Sequence, residues 1–267
     1  MTTIKELSDL HGRRALITGA AGVLGRVFAE TLAELGADLV LVDLPGSDFR
    51  TLNEGLIERW GVKVENHICD LENQSQRVDL IRKLLESGLG LDVLINNAAF
   101  VGTSEMLGWA VPFGEQSVDT WRRALEVNLT AVFELCQGLS PLLKSSRNGC
   151  IVNIGSIYGL YGPDWSLYVG TNMSNPAAYA ASKGGLIQLT HWLATTVSPE
   201  IRVNAISPGG IFRNQPEEFV KRYEARTPLN RMAREEDFRG AIAYLASDMS
   251  KYVTGVNLAV DGGWGVW

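Results

Sequence analysis

Seven short runs rich in aliphatic and β-branched residues recur along the chain, at 15–18, 38–43, 64–69, 91–96, 150–156, 201–207 and 256–260. Segments of helical length and period separate them. Runs this continuous suit strands buried on both faces, the environment of a parallel sheet. Strand and helix alternating this often predict an α/β, doubly wound sheet of about seven parallel strands with helices on both faces. One such series accounts for residues 1–267 as a single domain.

Two stretches interrupt the alternation. Residues 98–116 carry Phe100, Trp109 and Phe113, and residues 157–176 carry Tyr158, Tyr161, Trp165 and Tyr168. Long irregular loops in a compact domain are usually functional, and both leave strand C-terminal ends, where open α/β sheets bind ligands. With 211–230, they are the expected substrate loops. Composition narrows the partners. A net charge of −6 argues against nucleic-acid or anionic-membrane binding. No apolar run approaches the ~18 residues needed to span a bilayer. Cys69, Cys136 and Cys150 lie far apart, and His11, His67 and His191 lack ligand spacing, so neither disulfides nor a metal site is expected. The opening MTTIKELSDLHGRR has no apolar core of a secretory signal, so a cytoplasmic location is expected.

The first run leads into TGAAGVLG, Thr18 to Gly25, and then into a helical segment. Glycine lets the backbone turn tightly and approach a phosphate. The helix N-terminus beyond it offers free N–H groups and a positive dipole end. Asp43 ends the second run, 24 residues after Gly19. A carboxylate there can accept hydrogen bonds from ribose hydroxyls and repel a 2′-phosphate. With no Arg or Lys in the turn, the pattern predicts NAD rather than NADP; a solvated strand end is the competing role for Asp43.

In the segment 176–197, Tyr179, Lys183, Leu186, Thr190, Leu193 and Val197 step by four and three, so they share one largely apolar helix face. An ammonium is out of place there. Beside it the phenol's pKa should fall from about 10 toward neutrality, giving a general acid/base. A packed Tyr next to a snorkelling Lys is the alternative. Over 117–144, a second stripe of Val118, Trp121, Leu125, Asn128, Val132, Leu135 and Leu139 has Asn128 as its polar member. A buried amide needs partners, so Asn128 is either a strut or part of a polar site. Ser156 closes the fifth run, where it either holds a substrate oxygen or caps the turn after the strand. The small residues Ala180, Ala181, Gly184 and Gly185 predict close packing by another helix. Trp60 and Trp192 read as core or interface residues.

Together these pieces resemble the short-chain dehydrogenase/reductase family, in its shorter single-domain branch with a Rossmann-type sheet. The motifs are TGAAGVLG, Asp43, CDL (69–71), NNAA (96–99), VNLT around Asn128, GSIYG around Ser156, YAASK (179–183), SPGG (207–210) and VTGVNLAVDGGW. The resemblance implies hydride transfer between NAD(H) and a secondary alcohol or ketone. It makes Tyr179 the acid/base, Lys183 the ribose-holding partner that lowers the Tyr179 pKa, and Ser156 the orienting hydroxyl. It makes Asn128 the anchor of a proton-relaying water. It places Gly19, Ala21, Val23, Leu24, Gly25, Asp43, Asp70, Leu71, Asn97, Ala98, Pro208, Gly209 and Ile211 around the cofactor. It also implies a homodimer or homotetramer built on the helices of Asn128 and Tyr179.

The chain departs from the family pattern in four places. Val23 stands where the branch has Gly, so the turn reads TGxxGxxG, the form of the longer nucleotide-sugar branch. Ala99 replaces a common Gly. Ser156 and Tyr179 are 23 positions apart, a longer interval than usual, so the inserted loop should border the substrate. Arg213 occupies a frequent Thr position, with Asn214 as a stand-in for its contact. The loop's aromatics, beside Asp164, Asn172 and Asn175, suit a hydroxylated substrate such as a sugar, with Tyr158 and Trp165 as contacts. The Arg213 fork matches a phosphate or carboxylate. Packing of the aromatics onto the sheet, with a solvated Arg213, competes with this. The segments YG–GPDW, PGGIFRNQ and DGGW also resemble members from bacterial surface-sugar and flagellin-glycan pathways. Two further readings remain: a cofactor-retaining epimerase or dehydratase acting on a nucleotide sugar, and a dinucleotide-binding sensor without catalysis.

Overall fold

The structure, a computed structural model, describes residues 1–102 and 106–267. Residues 103–105 of the expected 98–116 loop lie outside that description. The chain alternates as expected. Helix α1 (Ile4–Ser8) precedes β1 (Arg14–Thr18), α2 (Val23–Glu34), β2 (Asp38–Asp43), α3 (Phe49–Trp60), β3 (Val64–Ile68), α4 (Gln74–Glu86) and β4 (Val93–Asn96). Then come α5 (Val118–Leu125), α6 (Ala131–Ser145), β5 (Gly149–Ile154), α7 (Ala177–Thr196), β6 (Ile201–Pro208), α8 (Glu217–Arg226), α9 (Arg239–Ala246) and β7 (Asn257–Val260).

The strands form one parallel sheet in the order β3-β2-β1-β4-β5-β6-β7. The order reverses between β1 and β4, so the crevice for a ligand opens there, above the strand C-terminal ends. The period of two explains the continuous apolar runs. In β1, Ala15 and Ile17 face a core built with Phe28, Leu32, Leu56, Phe238 and Ile242, whereas Leu16 faces one built with Leu84, Leu135, Leu139 and Leu193. Both faces are covered by helices, so neither set of side chains can be polar.

The stripe around Asn128 is one helical rod broken by a π turn at Glu126–Thr130, which joins α5 to α6. A π turn adds a residue and marks a local demand on side-chain direction. Here it puts Asn128 inside. Arg77 on α4 braces the turn: it is 1% exposed, donates to Leu71 O at 2.5 Å, and forms ion pairs with Glu126 at 2.6 Å and with Glu134. Two glycines of the small side of α7 are packed within the chain itself, whereas Ala181 is exposed. A Cβ on Gly185 would stand 2.9 Å from Leu129, and one on Gly184 would stand 3.4 Å from the Gly159 carbonyl. Trp60 packs on the core, but Trp192 is exposed, so only the interface half of its expected role survives. The three cysteines are free and buried, and burial pushes the Cys69 thiol up to about 11 and that of Cys136 to about 12. Among the described residues, no helix is long and apolar enough to cross a membrane, and no cluster of metal-ligating side chains occurs.

Candidate active site

The glycine turn sits at the C-terminal end of β1, and its shape explains its composition. Gly19 has φ +63°, and a Cβ there would come within 2.9 Å of Ala98 Cα. At Gly25 a Cβ would meet the Gly19 carbonyl at 2.1 Å, so only glycine lets α2 start this close to the strand. The NNAA segment clamps the turn from β4. Asn97 Nδ2 donates to Thr18 O and Gly19 O at 2.9 and 3.0 Å, and Thr18 Oγ1 accepts from the amides of Asn97 and Ala98. Asp43 braces the other side, accepting from Ala21 N at 2.7 Å and Leu44 N at 2.8 Å. Helix α2 opens at Gly22 with no side-chain cap, so its first amides face the cavity, as an anion cradle requires. A pyrophosphate-bearing dinucleotide therefore fits this turn.

That turn is one end of a continuous cavity of about 1030 Å³ along the strand ends. Its walls include every residue expected around the cofactor, namely Gly19, Ala21, Val23, Leu24, Gly25, Asp43, Asp70, Leu71, Asn97, Ala98, Tyr179, Lys183, Pro208, Gly209 and Ile211. Ser156, Tyr158 and Arg213 line it too.

Ser156 lies two residues past β5 and Tyr179 on the first turn of α7, both on the wall of the cavity. Lys183, one turn on and 2% exposed, donates to Ile154 O at 2.7 Å, with its Nζ 5.9 Å from the Tyr179 ring centre. Burial pulls the Lys183 pKa down from 10.5 to about 8. Behind it a buried polar chain fixes α7 on the sheet: Asn96 donates to Asn153 at 2.8 Å, and Asn153 to Thr190 at 2.9 Å.

Four expectations change. Burial raises the Tyr179 pKa, and the opposing influences of Ser156 and Arg213 do not reverse this. The expected fall toward neutrality counted the charge of Lys183 but not the depth of the phenol. Asn128 does not line the cavity. Its Oδ1 accepts from Phe100 N at 2.6 Å and its Nδ2 donates to Phe100 O and Ser182 Oγ, so the side chain is a strut tying the π turn to the 98–102 segment and α7. Trp165 is also outside the cavity and 56% exposed, because Asp164 caps a single 3₁₀ turn that leans the indole on Tyr168 from outside. Asn214, in the left-handed region at φ 56°, is not a cavity residue either.

Sequence reasoning missed much of the substrate end. Besides Tyr168 and Asn175 of the expected loop, Met173, Phe219, Tyr223 and Met232 line it. An aromatic ladder from Tyr168 through Phe219 and Tyr223 to Trp264, with ring centres 5.5, 6.0 and 4.4 Å apart, fastens the 157–176 loop to α8 and to the DGGW segment. Tyr223 also accepts a hydrogen bond from Gly210 N, anchoring the SPGG turn. These contacts join residues distant in sequence, and only the unusual density of aromatics hinted at them.

Comparison with known proteins agrees with this geometry. The family model described as enoyl-(acyl carrier protein) reductase matches residues 19–265. The 3-oxoacyl-(acyl-carrier-protein) reductase FabG of Thermotoga maritima is 32% identical over 263 residues, covering 95% of this chain and 98% of that one. The chain belongs to the short-chain dehydrogenase/reductase family. Its members are oxidoreductases of CH–OH and C=O groups that bind nicotinamide dinucleotides. Two solved structures show the range of cofactor. A short-chain dehydrogenase of Leptospira borgpetersenii, with NAD+ bound, is 31% identical with a TM-score of 0.82, covering 99% of this chain and 96% of that one. A gluconate 5-dehydrogenase of Burkholderia cenocepacia, in complex with NADP and tartrate, is 27% identical with a TM-score of 0.86, covering 99% and 100%.

Proposed function

We propose that the protein interconverts a secondary alcohol and a ketone on a small hydroxylated compound, with NAD(H) as the redox partner. The observation that carries this reading is the convergence of buried Ser156, buried Lys183 and half-buried Tyr179 in the cavity whose other end is the glycine turn. When bound, the nicotinamide supplies hydride acceptance or donation. The chain supplies the rest. Ser156 and the Tyr179 hydroxyl hold the reacting oxygen between them. Tyr179 takes its proton in oxidation and returns it in reduction. Lys183, with an ammonium poised near neutrality, stabilises the tyrosinate as it forms. Asn128 acts at one remove, holding Ser182 and the 98–102 segment. A pure binding protein has no use for a buried ammonium beside a cavity-lining phenol, since the ammonium costs desolvation.

Acid residues favour NAD over NADP. Asp43, Asp48, Asp70 and Glu72 line the glycine-turn end; of the cations beside it, Arg123 is held bidentately by Glu72 at 2.7 and 3.0 Å, and Arg26 donates to Ala21 O and Asp48 O at 2.8 and 3.1 Å. Two unit charges 4 Å apart near a protein surface repel by about 4 kcal/mol, which disfavours a 2′-phosphate. At the other end Arg213 contacts Glu235 at 3.3 Å through Nε alone, leaving its fork to meet an acidic group. The tartrate of the Burkholderia relative, a hydroxylated acid, is consistent with that chemistry. The chain is read as a cytoplasmic homo-oligomer. The test is a screen of polyols, sugar acids, sugar phosphates and simple alcohols with NAD+, read at the NADH absorbance. NADH release with at least one class is expected; reduction of NADP+ alone would remove the NAD assignment, and no redox turnover in either direction would remove the reading.

A further inference from the structure

The substrate end of the cavity contains a polar cluster with an unmet hydrogen-bonding demand. The hydroxyls of Tyr158 and Tyr168 are 2.6 Å apart, and the Asn175 side chain lies beside both phenols. Asn175 is 5% exposed, and its Oδ1 is buried with no partner. All three residues line the cavity beside Ser156 and Tyr179.

The inventory of donors decides what such a cluster accepts. Two phenols carry two O–H groups, one of which is spent between them. The Asn175 amide adds its own N–H donors and a carbonyl acceptor. What stands open includes one phenolic O–H donor and the amide carbonyl acceptor, whose oxygen has no partner. Burial holds both phenols neutral by raising their pKa, so the donor persists at any physiological pH. A buried acceptor left unpaired is costly, and the terminal torsion of Asn is soft enough to turn toward a partner. A ketone or a carboxylate satisfies the donor only. A hydroxyl satisfies both.

We propose that Tyr158, Tyr168 and Asn175 form a subsite for a second hydroxyl of the substrate, so the enzyme selects diols and polyols over mono-alcohols. This deepens the proposed alcohol–ketone chemistry and rests on it for the location of the reacting carbon. A site built to pair a hydroxyl rejects the analogue lacking it, because its own polar groups are then stranded.

The probes are cyclohexanol and the 1,2-, 1,3- and 1,4-cyclohexanediols, assayed with NAD+ and, separately, by calorimetric binding in the presence of NAD+. At least one diol should exceed cyclohexanol in kcat/KM by about tenfold or more, chiefly through KM. Tyr168→Phe keeps the ring and its packing, and Asn175→Leu removes the open acceptor; each should bring the diol-to-cyclohexanol ratio within about twofold of unity. If Asn175→Leu does not fold, Tyr168→Phe decides alone. A wild-type ratio near one, a ratio that survives Tyr168→Phe, or no diol binding overturns the subsite. Diol binding that Tyr168→Phe abolishes, in a protein that turns over none of the four probes, leaves the subsite standing and counts against the alcohol–ketone reading.

Discussion

Replacing Arg77 tests how the interior supports the site. Its guanidinium is shut away from solvent and satisfies Leu71 O, Glu126 and Glu134 together. Arg77→Met keeps most of the apolar stem but strands two carboxylates and a carbonyl. Removing one partner of a buried ion pair costs about 3–5 kcal/mol. The Glu126 side chain is a third exposed and can recover some hydration, which places the loss near 3 kcal/mol, at the lower end of that range. For a chain of this size that is a fall in Tm of roughly 6–12 °C. Differential scanning calorimetry at neutral pH reads it directly. Arg82, whose partners Asp79 and Glu86 are exposed, serves as the control, and Arg82→Ala should move stability by less than about 1 kcal/mol. Adding Glu126→Gln and Glu134→Gln to Arg77→Met should restore much of the loss. An Arg77→Met protein as stable as the Arg82→Ala control, or a triple variant no better than the single one, would refute the claim that the pairing of these charges holds the π turn.

Three other outcomes are expected of the site. Because burial raises the Tyr179 pKa, the phenol is protonated at neutral pH; alcohol oxidation, which needs the tyrosinate, should climb with pH above neutrality, while ketone reduction stays flat and declines only in strongly alkaline solution. An oxidation rate independent of pH between 6 and roughly 9 would contradict this. Asp43→Asn should narrow the NAD-over-NADP preference in kcat/KM by at least about tenfold, since a charge repulsion is removed while the brace to Ala21 N can be kept; an unchanged ratio locates the discrimination elsewhere. Val118, Trp121, Phe133 and Trp192 are exposed apolar side chains on α5, α6 and α7, and sedimentation should find a dimer or tetramer at micromolar concentration, a monomeric mass ruling it out.

Period and glycine carried the architecture. The central strands were legible because burial on both faces leaves mostly apolar residues, with buried exceptions such as Asn96 and Asn153, and Gly25 because no other residue lets α2 begin against Gly19. Tyr179, Lys183 and Ser156 were legible as polar residues on apolar faces or at strand ends. What escaped depends on tertiary depth. Arg77 reads as an ordinary helix arginine until α6 is laid over it. Asn175 reads as one of three polar residues in its loop, beside Asp164 and Asn172, and what singles it out is the loop being folded back by Phe219, Tyr223 and Trp264. Trp165, similar in sequence to its aromatic neighbours, is turned outward by the Asp164 cap. The Tyr179 pKa was misjudged for the same reason, since adjacent charge can be counted along a helix but burial cannot.

The account depends most on the proton carried by the Tyr179 hydroxyl. The direct measurement is the turnover of Tyr179→Phe beside its affinity for NADH, the latter followed by fluorescence. The expected result is a fall in kcat of about a thousandfold with NADH affinity nearly intact, because the ring and its packing remain while the acid/base is gone. A variant that binds NADH and still turns over at close to the wild-type rate would contradict it.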